Sequence, residues 1–149
     1  MYFLLQVCKE ARVRVDFKVV SEIKKGIVNL VGFAVDDDKK IVDKMVDKLL
    51  KARIFKDDKG LTNLSIKDVD GEILSVSQFT LYASLKGGNR PSFTKAMSRD
   101  KSEILYQYFV NRISSLYSRC SFGIFHADME VELTNDGPFT IIMDSKELF

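Results

Sequence analysis

Gly26-Ile27-Val28-Asn29-Leu30-Val31-Gly32-Phe33 and, after Ala34-Val35, Asp36-Asp37-Asp38-Lys39-Lys40-Ile41-Val42-Asp43-Lys44-Met45-Val46-Asp47-Lys48-Leu49-Leu50 form the passage in which the chain changes its hydrophobic period. The run from Ile27 to Phe33 is rich in β-branched and aromatic residues and follows a Lys24-Lys25-Gly26 turn, the pattern of a buried strand. Asp36, Asp37 and Asp38 then offer carboxylates to a helix N-terminus, where they cap free N–H groups and face the positive end of the dipole. Otherwise this acidic run reads as solvated surface. Behind it Ile41, Val42, Met45, Val46, Leu49 and Leu50 recur at i, i+4 and i+8, with Lys and Asp on the other face. That is an amphipathic helix.

Upstream of this passage, Val13, Val15 and Phe17 alternate with Arg12, Arg14 and Asp16, the period of a half-buried strand, and Val19-Val20 reads as another. Downstream, Lys56 to Gly60 reads as a turn. Glu72 to Ala83, entered through Asp70-Gly71, reads as a strand, and Ser84 to Ser98, with Gly87-Gly88 and Pro91, as a long loop of the kind that often carries function. Asp100 and Glu103 have the spacing of a capping box ahead of a second amphipathic helix carrying Ile104, Leu105, Tyr108, Phe109, Ile113 and Leu116. Met129 to Leu133 and Phe139 to Met143 read as two closing strands joined through Thr134 to Pro138. The order strands, helix, strand, helix, strands predicts an α/β fold. Its mixed or antiparallel sheet would be curled into a compact barrel with two amphipathic helices packed on it, in one domain spanning residues 1–149.

Composition narrows the function classes. The chain has 149 residues, 23 Lys+Arg against 21 Asp+Glu, a net charge of +2, 46% hydrophobic and 30% charged residues, which is globular composition. No apolar run approaches the ~20 residues of a membrane span. The N-terminus lacks the basic start and cleavage site of a secretory signal, so a cytoplasmic protein without membrane association is expected. Cys8 and Cys120 read as two reduced thiols. With His126 as the one histidine and no Cys/His cluster, neither a metal site nor a cofactor is expected. The near-neutral balance permits an RNA partner without requiring one.

Two segments are more polar than a structural strand needs. On the strand Ser77-Gln78-Phe79-Thr80, Ser77 and Phe79 would share one face and Gln78 and Thr80 the other. Gln78 supplies both a donor and an acceptor, and Thr80 a hydroxyl. A nucleophilic Thr needs an activating base, and none lies near it in sequence, so on the residues alone Thr80 reads as strand packing. In Asn135-Asp136-Gly137-Pro138-Phe139-Thr140, a Gly-Pro step between strands reads as a turn, and the residues alone favour a trans peptide over a cis one. Gly87-Gly88-Asn89-Arg90 matches neither the P-loop nor the dinucleotide fingerprint. Lys86, Arg90, Lys95 and Arg99 fall in a short span that suits either an RNA backbone or plain solvation. His126 reads as structural, since no nucleophile signature accompanies it.

Together, Ser77-Gln78-Phe79-Thr80-Leu81 and Asn135-Asp136-Gly137-Pro138-Phe139-Thr140 resemble the paired signature motifs of the D-aminoacyl-tRNA deacylases. The resemblance starts at Leu5-Gln6 and Glu10-Ala11. It continues through Arg53-Ile54-Phe55, Asn63-Leu64-Ser65, Arg90-Pro91-Ser92-Phe93 and Ala127-Asp128-Met129 to Asp144-Ser145, covering essentially the whole chain.

It implies a metal-free homodimeric hydrolase that cleaves the ester between a D-amino acid, or glycine, and the 3′ end of an aminoacyl-tRNA, with active sites completed across the subunit interface. On the family pattern Gly137-Pro138 is a cis step that enters the partner's site, holds the substrate amino group and leaves no room for an L side chain. Ser77, Gln78, Phe79 and Thr80 would line the pocket for the terminal adenosine and the ester, and Phe93 and Met129 would shape it. The amides near Phe79 and Thr80 would hold the developing oxyanion. Thr80 would then position substrate while water attacks, assisted by the ribose 2′-hydroxyl. The chain departs from the pattern at Val7, where family members commonly carry the Arg thought to brace the Gly-Pro loop, and at His126, where a small Gly is usual. Val7 and a Gly137-Pro138 step that is trans instead of cis each keep another reading open. One is a module that binds the tRNA 3′ end without cleaving; the other is a relaxed deacylase acting on small L-amino acids.

Overall fold

The structure is a computed structural model that describes residues Met1–Phe149. Its organising strand is β1 (Tyr2–Val15), long enough to serve three neighbours. The C-terminal half pairs antiparallel with β2 (Lys18–Ile23) and the N-terminal half with β3 (Gly26–Gly32). Along its other edge β1 pairs antiparallel with β8 (Glu130–Asp144). From β3 the sheet continues in parallel through β6 (Glu72–Ser77) to β7 (Cys120–Phe122). A small hairpin of β4 (Phe55–Lys56) and β5 (Thr62–Leu64) stands apart, closed by the Asp57 carboxylate, which accepts from the backbone N–H groups of Lys59 and Leu61.

Parallel neighbours require crossovers, and the two helices provide them. Helix α1 (Lys39–Lys51) connects β3 towards β6, and α2 (Arg99–Leu116) connects β6 to β7. Both crossovers step in the same direction along the sheet, so right-handed connections put both helices on one face. Val42, Met45, Val46, Leu49 and Leu50 of α1 and Leu105, Tyr106, Phe109 and Ile113 of α2 bury there against Phe3, Leu5, Ile27, Val31 and Ile73. Phe109 meets Phe3 edge-on at 5.6 Å. The opposite face curls on itself over a smaller cluster built from Cys8, Val13, Ile23, Val28, Leu74 and Val76. Strands β2 and β7 end the sheet on opposite sides, yet the Ser21 hydroxyl donates to the Phe122 carbonyl. The sheet is therefore a nearly closed barrel, as the sequence predicts. No helix is long and apolar enough to cross a membrane.

Several local expectations are corrected. Phe17 does not continue a strand: Asp16 and Phe17 form the β1–β2 turn at positive φ (48° and 64°), and Phe17 is 94% exposed. The strand entered at Glu72 stops at Ser77, and Phe79–Tyr82 is a 3-10 turn. Its ladder partner β3 ends at Gly32, so the backbone finds partners locally, Leu81 N to Gln78 O at 3.3 Å and Ala83 N to Thr80 O at 2.9 Å. Helix α2 begins two residues before the predicted capping box, with Ser98 at the N-cap and Asp100 inside the first turn. The bond from Met97 N to Phe33 O (2.9 Å) anchors the chain immediately before it. Its buried face takes in Tyr106 and leaves Ile104 exposed. The acidic run caps α1 through Asp38, which accepts from Ile41 N at 2.9 Å. Asp37 is not solvated: its side chain is 4% exposed and accepts from the Met1 amine (2.7 Å) and Ala34 N (2.6 Å). The two predicted closing strands are one strand, β8, and a short helix, α3 (Ser145–Leu148), follows it.

Candidate active site

The end of β6 and the turn after it form one wall of a concavity about 590 Å³ in volume. Ser77 ends the ladder opposite Val31, and Gln78 N then donates to Val31 O at 2.7 Å, the last bond before the chain turns. Gly32 makes this close approach feasible. A Cβ built there would lie 3.1 Å from Gln78 O and 3.2 Å from Leu81 Cβ. The far end of the turn is fixed by Tyr82, whose ring stacks on Tyr2 of β1 at 4.5 Å and 8°. Phe79 and Thr80 therefore sit on a short, pinned segment. Their amides open the turn ahead of its first internal bond and have no partner within it.

Ser77, Gln78 and Phe79 line the cavity, and Met129 lines it from the segment preceding β8. Thr80 stands just outside, exposed, its Oγ1 accepting from Gln78 Nε2 at 2.5 Å. Phe93 reaches the rim from the long loop. Reciprocal bonds between Ser84 and Ser92 (both 2.9 Å) close that loop, so Phe93 returns to meet Phe79 edge-on at 5.0 Å. Of the residues singled out from sequence, six thus gather at one place. The remaining two do not: Gly137 and Pro138 lie exposed on β8 and contribute nothing to the cavity lining. Their peptide is cis, and Gly137 has φ 142°.

The floor of the cavity comes from residues that sequence reasoning did not single out, including Phe33, Met97, Phe125 and Val131. Phe125 leans on Tyr106 at 5.5 Å, and the Tyr106 hydroxyl donates to Ser75 O at 3.1 Å. Burial raises the Tyr106 pKa, so the hydroxyl stays protonated as a donor and the wall behind Phe125 stays fixed. These apolar types look in sequence like any other core residue. The signal that locates Phe125 is its place four residues before Met129 in a segment with no regular pattern. The rim is polar, with Arg99, Ser102, His126 and Asp128. His126, an exposed departure from the family pattern, holds a positive φ of 62°, a conformation in which the smaller Gly costs nothing. Lys86, Arg90, Lys95 and Arg99 are exposed along the adjoining loop and make no ion pairs. An apolar slot with a polar mouth, unpaired amides and a basic approach suits a planar ring attached to an anionic chain.

Comparison with known proteins agrees with this. A family model described as D-Tyr-tRNA(Tyr) deacylase matches residues 4–144. A relative from Caldicellulosiruptor saccharolyticus, "D-aminoacyl-tRNA deacylase", is 45% identical over 149 residues, 100% of both chains. One of the same name from Lactobacillus helveticus is 49% identical over 144 residues, 97% of this chain and 99% of that one. A solved structure titled "c-Myc DNA Unwinding Element Binding Protein" superposes with a TM-score of 0.92 at 36% identity, covering 97% of this chain and 98% of the other.

Proposed function

The chain belongs to the D-Tyr-tRNA(Tyr) deacylase family, and from that membership we propose how this hydrolase cleaves D-aminoacyl-tRNA. The terminal adenosine enters the apolar slot between Phe79 and Met129, and the basic loop from Lys86 to Arg99 meets the phosphates of the acceptor end. Water adds to the ester carbonyl, and the Phe79 and Thr80 amides receive the negative charge that develops on its oxygen. The C–O bond to the ribose then breaks, its 3′-oxygen takes a proton, and the free amino acid leaves. Thr80 acts as a positioning group. Its oxygen already accepts from Gln78, and no His or carboxylate hydrogen-bonds it to draw off its proton. The reading is carried by the placement of Ser77-Gln78-Phe79 at the mouth of a cavity in a chain that shares 45–50% of its residues with named deacylases.

Selection against L-amino acids belongs, in this reading, to Gly137 and Pro138. They lie away from the cavity of their own subunit, and their role is to enter that of a second copy. There main-chain carbonyls accept from the substrate ammonium, and the backbone occupies the space an L side chain needs. Glycine, with no side chain to exclude, is cleaved too. The outer edge of β8 has no strand partner, and Ile142 on it is 68% exposed, which favours a homodimer assembled along this side. The setting is the cytoplasm, where the enzyme clears mischarged tRNA.

Mixing two defective variants tests the shared site. Gln78→Ala disables the wall of its own cavity. Gly137→Ala places a Cβ at 2.9 Å from Phe139 N at a φ few side chains adopt, and so displaces the tip. In a mixed dimer one of the two sites inherits neither change. Co-refolding is expected to restore D-specific hydrolysis that neither variant shows alone; no restoration from a verified mixed dimer contradicts the shared site.

A further inference from the structure

The segment carrying Gly137 and Pro138 is an excursion from a continuous strand, and the way its neck is held points to a function for residues outside the site described above. Cys8 pairs with Asn135 and Gln6 with Thr140, so two steps along β1 face five along β8. The four residues between these pairs, Asp136 to Phe139, face Val7 alone and are extruded from the sheet edge. Opposite the gap stands Val7, 6% exposed and packed in the main core, whose apolar side chain offers the excursion no hydrogen bond. The bracing comes from β8 itself. Asn135 Oδ1 accepts from Phe139 N at 2.7 Å, closing the excursion end to end. Asn135 Nδ2 donates to Thr140 Oγ1 at 3.0 Å, and Gln6 Nε2 donates to the same oxygen at 3.4 Å. Only one orientation of the Asn135 amide satisfies both of its bonds, because a backbone N–H needs the oxygen and the nitrogen then faces the hydroxyl. Phe139, packed against the main core, anchors the far side.

We propose that Asn135 and Thr140 are positioning residues that fix the direction in which Gly137 and Pro138 project, and thereby set the enantiomer selectivity of the site they enter. This rests on the selection role assigned to Gly137 and Pro138. A tip on a four-residue excursion has no ladder bonds of its own, so a loosened neck lets it drift. A drift approaching 1 Å at a reacting centre costs about 10²-fold. The same drift opens the space from which an L side chain is excluded.

The experiment measures kcat and KM on D-tyrosyl-tRNA and L-tyrosyl-tRNA for Asn135→Ala, Asn135→Asp, Thr140→Val and Thr140→Ser, with Tm recorded for each. Asn135→Ala and the near-isosteric Thr140→Val are expected to lower the D-over-L ratio of kcat/KM about tenfold or more. Thr140→Ser is expected to restore it. Asn135→Asp restores it in part, because its carboxylate accepts from Phe139 N and from the Thr140 hydroxyl. A merely structural role would shift Tm and active fraction, which act equally on both substrates and leave the ratio unchanged. A wild-type ratio in folded Thr140→Val, or a ratio lost equally in Thr140→Ser, overturns the proposal. Gly137→Ala, run alongside, separates the two levels. If it too keeps the wild-type ratio, the selection role of the tip has failed, and with it the proposal. If Gly137→Ala collapses the ratio while Thr140→Val does not, the neck alone has failed.

Discussion

Replacing Gly32 by Ala adds a single carbon at the point where β3 passes behind the Phe79–Tyr82 turn, the proposed reacting wall. The new Cβ would lie 3.1 Å from Gln78 O and 3.2 and 3.4 Å from Leu81 Cβ and Cδ1, so its neighbours must give by a few tenths of an ångström. Gly32 ends a strand whose bonds run to β1, whereas the turn it presses on is a short segment at the surface, so the turn is the part that moves. Scaling from about 10²-fold per 1 Å of misplacement, a shift of about 0.3–0.5 Å predicts a loss of about four- to tenfold in kcat. Overpacking costs about 1–3 kcal/mol, partly offset by about 0.5–1 kcal/mol for removing a flexible Gly from a strand. The variant therefore stays folded while its chemistry slows. Steady-state hydrolysis of D-tyrosyl-tRNA beside urea unfolding separates the two effects, with KM expected to change less than kcat. Wild-type kcat in a destabilised variant would refute the assignment of the Gln78 turn as the reacting wall.

Phe109→Ala removes a fully buried ring packed edge-on to Phe3, so urea unfolding should show a loss of about 3–5 kcal/mol at an unchanged denaturant slope; a loss under 1 kcal/mol would contradict the helix–sheet packing. His126→Gly relieves a positive φ of 62° and should gain about 1 kcal/mol, raising Tm by about 2–4 °C, where a fall in Tm would mean the His side chain makes stabilising contacts. Burial pushes the Cys8 thiol from 9.0 to about 11 and the Cys120 thiol to about 12. Both should therefore react far more slowly with a thiol reagent at pH 8 in the native than in the urea-unfolded chain. Above pH 9 the unfolded thiols lose protons that the native ones keep, so this contribution to stability is complete below pH 9 and falls as pH rises towards 11; stability that rises there reverses the sign.

Helix α1 was legible because its buried positions, Val42 to Leu50, repeat within one uninterrupted element, and Asp38 caps it as its chemistry predicts. The strand β7 was not, since Cys120 to Phe122 is too short to carry a period. The break after Ser77 was invisible for a different reason. Phe79, Thr80 and Leu81 suit a strand by propensity, and what ends it is the departure of β3 at Gly32, a tertiary event. Ser77, Gln78, Phe79 and Met129 were found through motifs. Phe33, Met97 and Phe125 escaped because an apolar pocket floor has the composition of a core, and these residues meet only after folding. Asn135 and Thr140 were visible as motif members, but their mutual bond depends on the register slip between Gln6 and Cys8, which no spacing along the chain encodes.

The most direct measurement of the central claim is hydrolysis of D-tyrosyl-tRNA and L-tyrosyl-tRNA in parallel by the unaltered protein. Rapid loss of the D ester with the L ester intact is the predicted result, and it would show that the chain discriminates enantiomers with Val7 in place. Loss of both esters at similar rates, or binding of tRNA with neither ester cleaved, would contradict the account.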